Sequence, residues 1–299
     1  MESLTGLTPF LLLLAVMTVA SSKEINGMHS EKIKFQVIDT SATNCSSIYN
    51  YSHLNELSTA VRSNDIPTFV RVLKRGICIR CLTYFLQQGI LHIAVEYNAG
   101  GYILKKLVDS GADVNCQDNE RNTPLHNAAS GCKLFAVKAL LSMGSSANAK
   151  NYKGMTPLHL AVLSYCNSTD ILKELVKHGA DMNTVDNSGS TPLARAITVY
   201  DKLKTLLDLG ADLNFTDPFG MNVLHEAAYR SQTRQIPLLI QRKVCIDCQE
   251  SSGWTALHLA AMVGSLDSAR HLIEAGAAVN IRDQDGNTPL FYAQSQRRK

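Results

Sequence analysis

The sequence has no marked excess of either charge and no apolar stretch long enough to cross a bilayer. Its 299 residues hold 29 Lys and Arg against 26 Asp and Glu, a net charge of +3. Nucleic-acid binding draws on a concentrated cationic footprint. The densest basic cluster here is Arg297, Arg298 and Lys299, which reads as a solvated tail. No nucleic-acid partner is expected. A phosphate-cradling glycine loop, a metalloprotease helix and a nucleophile elbow are also missing. The glycines at 154, 189, 220 and 253 recur singly and punctuate turns. An enzyme, a cofactor, a resident metal and a small-molecule substrate are therefore not expected. Disorder is excluded as well, because 45% of the residues are hydrophobic and only 18% are charged.

The longest apolar run, Pro9 to Ala20, has the length of a secretory leader core. It falls short of the roughly 20 residues of a membrane span. Small residues follow, so cleavage after Ala20 or Ser22 is sterically reasonable, although the segment before the run has Glu2 and no Lys or Arg. A signal peptide over 1–20 is the reading, with no membrane span once it is cleaved and a secreted or secretory-lumen location. The alternative is a signal anchor or a misread apolar segment, which gives a membrane-anchored or cytoplasmic protein.

Two further features fit an oxidising compartment. Four Asn-x-Ser/Thr tripeptides occur, at Asn44, Asn50, Asn167 and Asn214, and permit glycosylation. Eight cysteines stand at 45, 78, 81, 116, 132, 166, 245 and 248, an even number suited to disulfides.

Internal periodicity sets the architecture. Thr123-Pro124-Leu125-His126 returns as Thr156-Pro157-Leu158-His159, with looser copies starting at Gly89, Thr191, Asn222, Thr255 and Thr288. The shared leucines are 91, 125, 158, 193, 224, 257 and 290, spaced by 34, 33, 35, 31, 33 and 33 residues. A second landmark follows four of them: Gly111-Ala112-Asp113-Val114-Asn115, Gly179 to Asn183, Gly210 to Asn214 and Gly276 to Asn280. Physically, Thr caps a helix and Pro occupies its first turn, where a missing N–H costs nothing. Leu and small residues such as Ala128 and Ala129 supply a packing face. A second helix such as Ile171 to Val176 ends at a glycine able to adopt a left-handed cap.

At these residues the chain resembles the ankyrin-repeat family, over roughly 54–299. The resemblance implies an all-α repeat solenoid of stacked helix-turn-helix units with projecting β-hairpin loops. One degenerate unit covers about 54–82, six recognisable units run from about 86 to 282, and a truncated unit over 283–299 caps the end. Stacking supplies the core, since no unit buries its apolar face alone. The remaining segment, 21–53, is an N-terminal extension without repeats, either ordered or a loose linker; its stretch Ile33 to Ile38 alternates as a strand would.

Three departures from the pattern carry expectations. Extra residues near Tyr165-Cys166-Asn167 fall in an inter-helix turn, and the unit starting at Thr191 has a trimmed one. Pro237 falls inside a second helix, which it should kink or force to begin late. The histidines at 92, 126, 159, 225 and 258 share one repeat position. The family pattern makes them structural, bonding neighbouring loops, and they lie too far apart for zinc bonds of about 2.0–2.1 Å. Cys78-Ile79-Arg80-Cys81 and Cys245-Ile246-Asp247-Cys248 stand more than 160 residues apart, so they read as local disulfides or packed thiols. Cys132 and Cys166, in adjacent inter-helix turns, form a candidate bridge that the insertion helps to close.

The resemblance implies a concave binding surface made of hairpin tips and first-helix inner faces. The position before each Thr-Pro-Leu-His start holds Asn122, Met155, Ser190, Met221, Trp254 and Asn287. Aromatic residues and Met are enriched at interface cores. Tyr152, Met155, Phe219, Met221 and Trp254 are the candidate anchors, each of which could instead cover its own hairpin. Arg121, Lys153 and Arg195 are the candidate polar rim. The functional expectation is non-catalytic protein–protein binding by a secreted solenoid. An intracellular adaptor is the alternative, and a secreted effector or toxin-like component is a third reading.

Overall fold

The computed structural model describes residues 51–75, 79 and 89–296. The leader, the extension up to residue 50, Ile33 to Ile38, Asn44, Asn50, Cys78, Cys81 and the basic tail lie outside the described residues.

Helices alternate along the described chain as pairs. They are α1 (Tyr51–Arg62) with α2 (Ile66–Leu73), α3 (Ile90–Glu96) with α4 (Gly101–Asp109), and α5 (Pro124–Ser130) with α6 (Leu134–Ser142). Next come α7 (Pro157–Leu163) with α8 (Asp170–Lys177), then α9 (Pro192–Arg195), whose 3₁₀ continuation is Ala196–Thr198, with α10 (Tyr200–Asp208). The last pairs are α11 (Val223–Tyr229) with α12 (Gln235–Gln241) and α13 (Ala256–Val263) with α14 (Leu266–Glu274), before a single α15 (Pro289–Gln296). The first helices pack in one row from α1 to α15, and the second helices in another from α4 to α10 and from α12 to α14.

The repeated tetrapeptide explains each first helix. Thr123, Thr156 and Thr255, and Asn222 in their place, accept from the N3 backbone, while the N3 histidine accepts from the cap N–H. That reciprocal box satisfies two of the donors every helix start leaves open. Gly89 holds the cap position of α3 and offers no side chain. A Cβ there would come within 3.0 Å of the Cys116 sulfur, and His92 Nδ1 is left without a hydrogen-bond partner among the described residues. Leu125, Leu158 and Leu224 are fully buried, as are Ala128, Ala129, Ala227 and Ala228, so neighbouring first helices approach closely. Leu290 departs from its equivalents. It is exposed beside Phe291, because no second helix follows α15 among the described residues.

Two of the three irregularities fall where the period slips, and the third, at Pro237, lies in a unit of ordinary length. The loop between α7 and α8 is longer than its equivalents, and only Val199 separates the 3₁₀ turn from α10. Pro237 does not kink α12, which begins late at Gln235 and so takes the proline in its first turn.

The projecting loops contain no strand among the described residues. Each hairpin closes on two backbone bonds of its own, such as Asn151 N–H to Met155 O at 3.0 Å with Gly154 N–H to Asn151 O at 2.9 Å, and Asp217 N–H to Met221 O at 3.0 Å with Gly220 N–H to Asp217 O at 2.9 Å. That is too short for a ladder between strands.

A candidate protein-binding surface on the hairpin row

Each hairpin tip is fixed from within and from the side. Asn151 Oδ1 accepts from Lys153 N and Met155 N, both at 3.0 Å, and Asp217 Oδ1 accepts from Phe219 N and Met221 N, both at 2.9 Å. Between hairpins, Tyr152 N donates to Glu120 O at 2.8 Å and Asn187 N to Lys153 O at 3.0 Å. Ser251 N donates to Phe219 O at 2.7 Å and Gln284 N to Ser252 O at 3.0 Å. Below the tips, the histidine column does what the repeat pattern implied. The Nε2 of His92, His126 and His159 contacts the carbonyls of Asn122, Met155 and Ser190 at 2.8, 3.0 and 3.1 Å. His225 and His258 reach Trp254 O and Asn287 O at 3.2 and 3.3 Å. With Nδ1 accepting from the cap N–H, four of these rings are neutral and carry their proton on Nε2. Burial pushes the pKa of all five rings below the ordinary histidine value, that of His126 to about 4.

The candidate anchors separate into two kinds. Tyr152 is 73% exposed and Phe219 is 65% exposed, at tips whose backbone is already locked. Met155, Met221 and Trp254 are half-buried. Trp254 packs tilted against Tyr292 of α15, with ring centroids 4.5 Å apart, and so ties its hairpin to the last described helix.

The rim residues also differ among themselves. The Lys153 side chain is exposed and makes no hydrogen bond or ion pair among the described residues. Arg121 is exposed but sits at φ +60°, at the position where the other hairpins carry glycines such as Gly154 at φ +72°. Arg195 is engaged within the chain, its Nε and guanidinium NH2 reaching Asp186 Oδ2 at 2.9 and 2.6 Å. Burial raises the Asp186 pKa, but hydrogen bonds from Ser188 and Arg195 outweigh it and leave the carboxyl below its ordinary value.

Some exposed residues were not legible as candidates. Leu163 and Tyr229, each five residues after a buried repeat leucine, are 46% and 50% exposed at the ends of first helices. Tyr102, Phe135 and Tyr165 are likewise exposed in or beside inter-helix turns. Their signal in the sequence is an aromatic at a turn position otherwise held by polar residues.

Two disulfides join described cysteines. Cys132–Cys166 links adjacent inter-helix turns across a Cα–Cα distance of 5.7 Å, and Cys245–Cys248 closes its own four-residue loop at 5.5 Å. Cys116, not among the paired candidates, is disulfide-bonded as well. Asn167 and Asn214 are exposed. Among the described residues no helix is long and apolar enough to cross a membrane.

Capped helix pairs, histidine links and laddered tips define a repeat solenoid whose variable surface is carried by loops. The sequence pattern of ankyrin repeats (three copies) matches residues 91–186, 193–283 and 224–299, more than half of the chain. The chain belongs to the ankyrin-repeat family. That architecture implies protein–protein binding, and such repeats are generally non-catalytic binding modules. Human SH3 and multiple ankyrin repeat domains protein 2 is 31% identical over 42% of this chain and 7% of its own length. The mouse B-cell lymphoma 3 protein homolog is 30% identical over 69% of this chain and 48% of its own length. Palmitoyltransferase AKR1 of Lachancea kluyveri, by name an enzyme, is 25% identical over 80% of this chain and 29% of its own length. The chain spans less than half of each of these relatives.

Proposed function

We propose that this chain is a secreted, non-catalytic binding protein that engages a protein partner through its hairpin row. The observation that carries the binding surface is the exposure of Tyr152 and Phe219 on tips held by neighbouring hairpins. Rigid, exposed aromatics lose little conformational freedom on binding and are frequent hot spots. Met155, Met221 and Trp254 extend the surface, with Lys153, Arg121 and Arg195 at its margin. The compartment reading draws on the leader-like run Pro9 to Ala20, on the Cys132–Cys166 and Cys245–Cys248 disulfides, and on the sequons at Asn44, Asn50, Asn167 and Asn214.

The test is expression of the full chain in a eukaryotic secretory host, followed by intact and peptide mass spectrometry and cross-linking to surface and secreted proteins. Loss of the leader, oxidised cysteines and a cross-linked partner lost on Tyr152→Ala and Phe219→Ala support the reading. A retained, unprocessed, reduced chain moves the protein to the second reading, an intracellular adaptor, while a partner unaffected by both changes removes the hairpin row as its site.

A further inference from the structure

Tyr165 is fully exposed in the long loop between α7 and α8, and among the described residues its ring packs on nothing. An aromatic left entirely in water is unusual unless something covers it. The loop itself is held on both sides. Cys166 is bonded to Cys132 of the preceding unit, and Ser164 receives the Lys202 ammonium of the following unit. Two residues beyond Tyr165, the exposed Asn167 begins the sequon Asn167-Ser168-Thr169. We propose that Asn167 is N-glycosylated and that Tyr165 is the platform on which the first N-acetylglucosamine packs, its apolar C–H face against the ring. This rests on the secretory reading above. In the transfer, the Asn167 amide nitrogen displaces the diphosphate from C1 of a lipid-diphosphate-linked oligosaccharide. A C–N bond forms, the C–O bond to diphosphate breaks, and the amide gives up one proton.

The experiment takes the full chain from a eukaryotic secretory host, maps each sequon by peptide mass spectrometry, and trims glycans to one N-acetylglucosamine. Thermal midpoints are then compared with those of Asn167→Gln, in the Tyr165 and Tyr165→Ala backgrounds. The expected result is an occupied Asn167 whose sugar raises the midpoint by about 2–4 °C, a gain that vanishes in Tyr165→Ala. An empty Asn167 beside other occupied sequons overturns this proposal and leaves the secretory reading standing. An equal gain in both backgrounds overturns the platform. A chain without any glycan and with free thiols removes both readings.

A different set of observations concerns one junction of the stack. Three kinds of hydrogen bond recur from unit to unit, and all three are missing between the unit of α9 and α10 and the unit of α11 and α12. In the tip ladder the donor position there is Pro218, which has no N–H to give to Ser188 O. In the histidine column the position is Ala194. In the third set, Asn115, Asn148, Asn183 and Asp247 accept from the backbone of Ser146, Asp181, Asp212 and Ala278, whereas Asn214 makes no such bond among the described residues. A small cavity of about 50 Å³ opens at this place, lined in part by Gly189, Ala194, Phe215 and Met221. The polar links that persist lie at the other end of the units: Gln235 Nε2 to Ile197 O at 2.8 Å, Arg234 over the Tyr200 ring at 4.1 Å, and the Arg242–Asp208 ion pair; at the tips only the Pro218 ring packs on Gly189, without a hydrogen bond. The geometry points to a built-in joint that opens on the hairpin side. Tyr152 and Met155 stand on one side of it, and Phe219, Met221 and Trp254 on the other.

Hydrogen exchange on the intact, oxidised protein tests this. The amides of Gly189, Ser190, Thr191, Leu193, Asp217 and 219–222 should exchange about tenfold faster than those of 150–155 and 283–288. In the double variant Ala194→His with Pro218→Ser that difference should largely disappear. Equal protection across all hairpins of the unmodified protein overturns the joint, whether or not the variant folds.

Discussion

The Lys202 ammonium lies 2.9 Å from the Val162 carbonyl oxygen, and it also donates to Ala161 O at 3.0 Å and to Ser164. Lys202 belongs to α10, and its side chain is buried at the C-terminal end of α7 in the preceding unit. A helix end leaves its last carbonyls open, and a cation there satisfies them and matches the negative end of the dipole. The longer α7–α8 loop has no residue at positive φ, where other inter-helix loops have Asn64, Asn98, Cys132, Ser231 and Gly264, and leaves that duty to a residue from another unit.

Replacing this cation by an apolar chain of similar length takes the ammonium from Val162 O and Ser164 O and leaves Ala161 O with only the Ser164 hydroxyl at 2.7 Å. Lys202→Met should therefore destabilise the protein by about 2–3 kcal/mol, read as a lower urea midpoint. An unchanged midpoint would show that water replaces the ammonium at no cost.

Acid should act through the histidine column. Burial holds the folded-state pKa below the ordinary value near 6.5, at about 4 for His126. The unfolded chain then binds more protons between those values, so stability is full above about pH 6.5 and falls as pH drops toward 4. For His126 alone the loss is on the order of 3 kcal/mol across that window. Urea midpoints at pH 7.5, 6 and 5 should decline in order, and less steeply in His126→Gln.

Arg121 offers a separation of stability from binding. A non-glycine residue at φ +60° is held in a region that glycine enters without steric cost. Arg121→Gly should raise stability by up to roughly 1 kcal/mol, since about 1–2 kcal/mol of left-handed strain is relieved and about 0.4–1 kcal/mol is lost to the freer unfolded chain. If Arg121 contributes to the partner surface, the same change weakens binding, and the two readouts move in opposite directions. A fall in both would mean that Arg121 supports its hairpin.

The Cys132–Cys166 bridge closes a long loop, with a sequence separation of 34. Cys132→Ser with Cys166→Ser should cost about 2–4 kcal/mol in thermal or denaturant unfolding. A non-reducing peptide map without this pair, or a double variant as stable as the parent, would refute it.

The sequence was legible where one side chain serves one unit. The leucine period, the Thr caps, the insertion near Cys166, the trimmed unit at Thr191 and the late start forced by Pro237 all follow from local chemistry. Lys202 was not legible, because a lysine on a helix ordinarily points to water and its acceptors lie some 40 residues back. Arg195 read as rim because its partner Asp186 belongs to the preceding hairpin and the fold alone brings them together. The hairpins read as β because their residues favour extended turns, yet each is too short to pair as a strand. The weak junction is visible only once Ala194, Pro218 and Asn214 are known to face one neighbour.

Trp254 is the chain's one tryptophan, and it rests on Tyr292 in the last helix. Its emission is therefore a local gauge of the final unit. In a linear stack, where each unit contacts only its neighbours, fraying at that end would alter the fluorescence before the helical circular dichroism signal changes. Denaturation curves from the two probes coincide only if the whole array melts as one, so their separation measures how far cooperativity travels along the solenoid.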